Sequence, residues 1–184
     1  MNKFLNRFSM FELIIIAMMA ALGIATKPVI VPLVHIITGP LYIPGGAIAG
    51  GFYMMWIVLG AGIVGKGGTA TLIALVQAIM IIVSGAYGTH GIISIVTYTL
   101  PGFMVDVLLL VTRSKGDGLM DCFLGGIAAN LGGTYLSNLV FFNLPIIPLI
   151  LSLSSAALSG GLGGIIAFNI IKKFKQFNIL GLDG

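Results

Sequence analysis

All but one of the nine lysines and arginines in this chain fall in the terminal segments or in alternate turns between long apolar stretches. Charged, Gly and Pro punctuation divides those stretches at about 10–34, 43–64, 69–84, 92–111, 119–142 and 146–171. A hydrocarbon core roughly 30 Å thick takes about 20 apolar residues per helix. The reading is therefore an all-α integral membrane protein, one bundle of six transmembrane helices spanning 1–184 as a single membrane domain. Lys3, Arg7, Lys66, Arg113, Lys115, Lys172, Lys173 and Lys175 then share one side, and Lys27 alone lies within a span. Short loops rich in Lys and Arg stay on the cytoplasmic side, so both termini are expected there. Removing any one span would scatter the charges.

Composition excludes the soluble alternatives. The chain is 58% hydrophobic and 8% charged, against about 25% charged in ordinary soluble domains. Its net charge of +4 follows membrane topology and does not point to nucleic acid. Cys122 is the single cysteine, so no disulfide framework exists. The opening "MNKFLNRFSMFELIII" has a basic segment before an apolar one, as a signal peptide does. No convincing cleavage site follows, and it reads as a retained first span. Lys27, Pro28 and Pro32 predict a kinked or partly unwound outer end to that span.

Enzyme signatures are missing: there is no HExxH, GxSxG or Cys/His cluster. "GAGIVGKGGT" (60–69) resembles a P-loop by eye. A Walker A motif requires Gly-Lys followed directly by Ser or Thr after a soluble strand, and here Gly67 and Gly68 intervene. The chain is expected to have no ATP site, no catalytic residues, no cofactor and no metal site.

Polar residues gather at the other end. The connectors at 35–46, 85–91 and 143–145 carry no Lys, Arg, Asp or Glu, and instead hold His35, Tyr42, Tyr87, His90 and Asn143. Lys27, Gln77, Tyr98 and Asn138 lie in the adjoining halves of their spans, and Asn130, Tyr135 and Asn138 climb the fifth span towards the same end. Polar side chains within lipid must face protein or water, so convergence on an outward-facing cavity is the economical explanation. The candidate substrate-binding set is Lys27, His35, Tyr42, Gln77, Tyr87, His90, Tyr98, Asn138 and Asn143. Its groups suit a polar, largely uncharged or aromatic small molecule. The bland alternatives are a snorkelling Lys27 and a tyrosine belt at the interface. Two histidines without further ligands rarely hold a metal. Asp106, deep in the fourth span, is either a functional carboxylate or one bonded to a neighbouring helix or the Arg113 region.

Small residues mark a second feature. "AMMAALGIA" (17–25) places Ala17, Ala21 and Ala25 on one helical stripe. Such stripes usually let helices of one bundle approach closely; the alternative is a docking face for a separate membrane protein. Glycine, at 27 residues, has close helix packing as its ordinary explanation.

With these residues in view the chain resembles the substrate-binding S components of energy-coupling factor (ECF) transporters. The resemblance rests on six spans in under 200 residues and on "AMMAALGIA" in the first span. The stretches "PGGAIAGGFYMMWIVLGAGIVGKGGTATLIALVQAIM" (44–80) and "YGTHGIISIVTYTLPG" (87–102) look like the branch assigned to thiamine precursors such as hydroxymethylpyrimidine. Cobalamin-binding members stay open. Cobalt and nickel members carry a histidine close to the amino terminus, and none precedes His35 here. The resemblance implies a multi-pass protein of a prokaryotic plasma membrane that captures a vitamin from outside. It implies docking through Ala17, Ala21 and Ala25 on a transmembrane T component coupled to two cytosolic ATPases. Two alternatives from other classes are a membrane enzyme acting on a lipid or prenyl substrate and a non-transport assembly subunit.

Overall fold

The computed structural model describes residues 7–41, 44–85 and 91–177. Among these residues six long helices are joined by short turns: α1 Met10–Thr38, α2 Gly45–Val64, α3 Thr69–Ser84, α4 Ser94–Thr112, α5 Leu119–Ser137 and α6 Ile146–Gln176. A short 3-10 turn, Gly39–Leu41, follows α1, and one π-helical turn, Asn138–Phe142, follows α5. Four segments are long and apolar enough to cross a membrane: Met10–Thr38, Gly45–Val64, Gly91–Thr112 and Ile146–Gln176. The shorter α3 and the glycine-rich α5 complete the bundle between them.

Helix ends follow local chemistry. Ser9 and Glu12 form a reciprocal cap at the start of α1: the Glu12 N–H donates to Ser9 Oγ (3.2 Å) and the Ser9 N–H to Glu12 Oε2 (2.7 Å). Lys66, in the α2–α3 turn, binds the same carboxylate at 2.7 Å and the Arg7 carbonyl at 2.9 Å. The turn itself needs left-handed backbone at Gly65 and Gly68 (φ 63° and 91°), which glycine adopts without a steric penalty. Asp117 pairs with Lys175, tying the α4–α5 turn to the end of α6. Arg7, Lys66, Arg113, Lys115, Lys172, Lys173 and Lys175 thereby lie at one end of the bundle.

α1 departs from the sequence expectation in one respect. It stays helical through Pro28 and Pro32 as far as Thr38, where the sequence predicts a kinked or partly unwound outer end to a span closing at about 34. Each proline removes one donor from the ladder, a loss that surrounding helices make tolerable in a membrane bundle.

Around the bundle the helices neighbour one another in the order α1, α2, α6, α5, α4, α3, and α3 returns to α1. α2 leans inward and also touches α5 and α3. The core lies along α2 and its neighbours, from Ile16 and Met19 through Ile57, Leu59 and Ile73 to Val105 and Ile171. On the α6 side packing is backbone to backbone. A Cβ added at Gly160 would meet the Gly126 carbonyl, one at Gly164 the Cys122 carbonyl, and one at Gly163 the Gly51 carbonyl. The outward surface is apolar: Met18, Leu22, Val29, Val83, Val96, Phe103, Leu110, Leu139, Ile150 and Leu158 are all exposed. A surface this apolar suits lipid, not water.

Asp106 is accounted for by α3. Its carboxylate accepts from the Gly68 N–H (3.1 Å), the Thr71 N–H (2.7 Å) and the Thr71 hydroxyl (2.6 Å). The first turn of α3 has no capping side chain of its own, so a residue of α4 supplies the cap. In the turn that resembled a P-loop by eye, the Gly68 N–H is thus taken by the protein's own Asp106 carboxylate. Asp106→Ala should cost about 1–2 kcal/mol of stability, the usual worth of a helix N-cap, and leave ligand binding unchanged. Thermal unfolding of the detergent-purified variant measures the first, and titration the second.

Candidate functional site

At the end of the bundle opposite the charged turns a cavity of about 460 Å³ opens between all six helices. α1 contributes Gly23, Lys27, Val31 and His35, and α2 contributes its first turns with Tyr53 and Met54. α3 supplies Gln77, α4 supplies Thr97, Tyr98 and Pro101, and the end of α5 with its π turn supplies Thr134, Ser137 and Asn138. Leu144 and Ser152, before and within α6, complete the wall. The volume suits a small molecule of one or two rings. A second, shallower groove of about 280 Å³ runs between α2 and α6, lined largely by Ile48, Phe52, Leu158 and Leu162.

Lys27 is the cavity's charged group. Its ammonium donates to the Tyr98 hydroxyl and sits 4.1 Å from the Tyr98 ring centroid and 5.4 Å from that of Tyr53. Cation–π attraction of this kind holds an ammonium against neutral rings. The side chain thus points into the bundle and does not snorkel along its surface. It lies about 16 Å below Thr38 along α1, at 1.5 Å rise per residue.

Close packing shapes the neighbouring groups. Gly23 faces Gln77, and a Cβ there would collide with the Gln77 amide nitrogen. The Gln77 Nε2 is buried with no hydrogen-bond partner, as is the Ser152 hydroxyl. His35, exposed at the rim, accepts the Gly45 N–H on Nδ1 at 3.3 Å and so also caps the start of α2. Tyr53 donates to the Gly46 carbonyl at 3.1 Å. Asn138 is buried and accepts the Leu144 N–H on Oδ1 at 2.9 Å. That bond fastens the π turn, a feature often found at functional positions, to the chain entering α6.

Of the residues singled out from sequence, Lys27, His35, Gln77, Tyr98 and Asn138 border this one cavity. Asn143 does not; it is exposed and closes the π turn in left-handed backbone (φ 45°). Tyr42, Tyr87 and His90 lie outside the described residues. The proposed polar ladder on α5 is only partly a cavity feature. Asn130 is wholly buried and donates to the Ala47 and Ala156 carbonyls (2.9 and 2.8 Å), stitching α5 to α2 and α6, while Tyr135 is half exposed. Tyr53, Thr97, Thr134, Ser137 and Ser152 border the cavity unannounced. Sequence gave a faint signal for Tyr53 alone, an aromatic hydroxyl inside an apolar span.

Elsewhere on α1, Ala17, Ala21 and Ala25 are all exposed, and none of them lines the cavity. α1 packs chiefly against α2 and α3 and reaches α4 through Lys27 and Tyr98, while the alanine stripe stays exposed.

Six helices with an apolar exterior, closing at one end on a polar cavity, define a multi-pass membrane protein built to hold a small molecule. The chain belongs to the family described as "ABC-type cobalt transport system, permease component", whose model matches residues 11–132. It is a transport subunit, and the family sets the enzyme alternative aside. The fold is that of an S component: it is similar to the crystal structure of an S component of an ECF transporter, with a TM-score of 0.74 and 18% identity over 94% of this chain and 88% of that one. No curated protein matches the sequence.

Proposed function

We propose that this transport subunit captures a vitamin or vitamin precursor from outside the cell and delivers it inward together with a T component and two cytosolic ATPases. One observation carries the reading: the polar groups of all six helices meet in a cavity at the end away from the charged turns. With those turns and the termini on the cytoplasmic side, as the distribution of Lys and Arg favours, the cavity faces outward. Its volume of about 460 Å³ is on the scale of hydroxymethylpyrimidine or thiamine and small for a corrinoid. The exposed stripe of Ala17, Ala21 and Ala25 supports docking on a T component through α1.

Cobalt, named in the family's description, is the second cargo to weigh. The described cavity wall offers one imidazole, His35, with Nδ1 already engaged by Gly45. Among the described residues no group of three or more His, Cys, Asp or Glu lies close enough to hold a metal ion. These donors favour an organic ligand.

Calorimetry on the detergent-purified protein tests the proposal. A water-soluble vitamin or precursor should bind without ATP, partner subunit or added metal, and Gly23→Val, which drives a branched side chain into Gln77, should weaken that binding at least tenfold. Binding of Co²⁺ alone, with silence from every vitamin, would overturn it.

A further inference from the structure

We propose that the cavity prefers an anion, a small planar molecule carrying one carboxylate, and that Lys27 is the residue that imposes this preference. The inference rests on the cavity being the capture site, and it goes further by naming the ligand's charge.

The argument begins with a charge inventory. The sequence holds five acidic residues, and four are engaged at the far end of the bundle. Glu12 binds Lys66, Asp117 binds Lys175, Asp106 caps α3, and Asp121 accepts from Ser114 and the Gly118 N–H. The fifth, Asp183, lies outside the described residues. No carboxylate among the described residues answers Lys27, whose near neighbours are a neutral hydroxyl and two neutral rings. A cation at membrane depth is costly and is normally paired. Hydrogen bonding and ring faces offset only part of that cost.

Two further groups point the same way. The Gln77 Nε2 and the Ser152 hydroxyl are buried in the cavity wall without partners. Both can donate, and buried donors left unmade are expensive. Lysine, amide and hydroxyl together form a donor-rich wall with a positive centre. An acceptor-rich anion satisfies all three, and a charge-assisted bond to Lys27 would be the strongest of them. A neutral pyrimidine satisfies the donors and leaves the charge. A cation such as thiamine adds repulsion.

Matched pairs differing only in charge provide the test. Purified protein is titrated calorimetrically with benzoate and benzamide, pyridine-3-carboxylate and pyridine-3-carboxamide, hydroxymethylpyrimidine and thiamine. The acid of a pair should bind at least tenfold more tightly than its amide. Lys27→Met should bring the ratio of acid to amide affinity to within about threefold of one, and Lys27→Arg should restore the preference. A readout without ligand accompanies this: Lys27→Met should raise the melting temperature of the empty protein, since it removes an uncompensated charge. A fall in melting temperature overturns the inference, as does an acid preference that survives in Lys27→Met. Tightest binding by hydroxymethylpyrimidine or thiamine also overturns it and leaves the capture reading standing. If no probe binds, the inference fails, and the capture reading is then decided by the wider vitamin titration given for it above.

Discussion

Ala21→Trp is expected to abolish uptake in cells while leaving ligand affinity in the purified protein within about twofold of wild type. Ala21 is exposed on α1, between Ala17 and Ala25 and among the larger side chains of Met18 and Leu22. The stripe is exposed and none of its three alanines lines the cavity, so folding and the cavity should both survive. A smooth methyl surface lets a partner helix approach to backbone distance, and association between membrane helices depends on such close packing because lipid supplies no hydrophobic drive. An indole at the centre of the stripe holds the partner several ångströms away and removes most of the contact. The opposing account is that these alanines merely face lipid. Lipid accepts Trp as readily as Ala, so that account predicts normal uptake. Transport of the bound ligand by the variant at wild-type rate therefore eliminates docking through this face. Co-purification of the T component with wild type but not with Ala21→Trp would locate the defect at assembly.

The sequence was legible where lipid and water demand different residues, and illegible where they do not. Helix ends were readable because charged residues are costly at membrane depth and, at these turns, stand beside glycines. Gly65, Gly68 and Gly116 turn the chain near the positions where the apolar stretches stop. The rotational phase of each helix was not readable, since a lipid-facing leucine and a core leucine look alike and no amphipathic period distinguishes them. This is why Asn130 and Tyr135 were grouped with Asn138 by height alone: one proves to be an interhelical stitch and the other faces outward. For Lys27 the two orientations are equally compatible with sequence, and only the positions of Tyr53 and Tyr98, on separate helices, decide between them. The π turn at Asn138–Phe142 left no signature because its bond to Leu144 depends on how α6 begins. Continuation of α1 past two prolines had the same origin in tertiary support.

Gly160→Leu should be the most destabilising substitution outside the cavity, costing about 3 kcal/mol or more, at or beyond the upper end of ordinary overpacking. A Cβ at this position would meet the Gly126 carbonyl group and lie 3.0 Å from the Asn130 Cβ. The obstruction is therefore backbone, which cannot rotate aside as a side chain can. The cost arises on both helices, since a Cβ at Gly126 would in turn meet the Gly160 carbonyl. Separating α5 from α6 also draws Asn130 away from the Ala156 carbonyl, leaving a polar amide underused in a region with no water to replace the bond. Gly160→Ala should fall between wild type and Gly160→Leu, because the first carbon meets the obstruction and the remaining three enlarge it. Gly67→Ala provides the control: a Cβ there meets nothing within 4 Å, and its melting temperature should stay within a degree or two of wild type. Thermal unfolding of the three variants in one detergent decides the matter. If Gly160→Leu melts with wild type, the backbone contact between α5 and α6 is not what holds this side of the bundle together, and the glycines of α6 have another role.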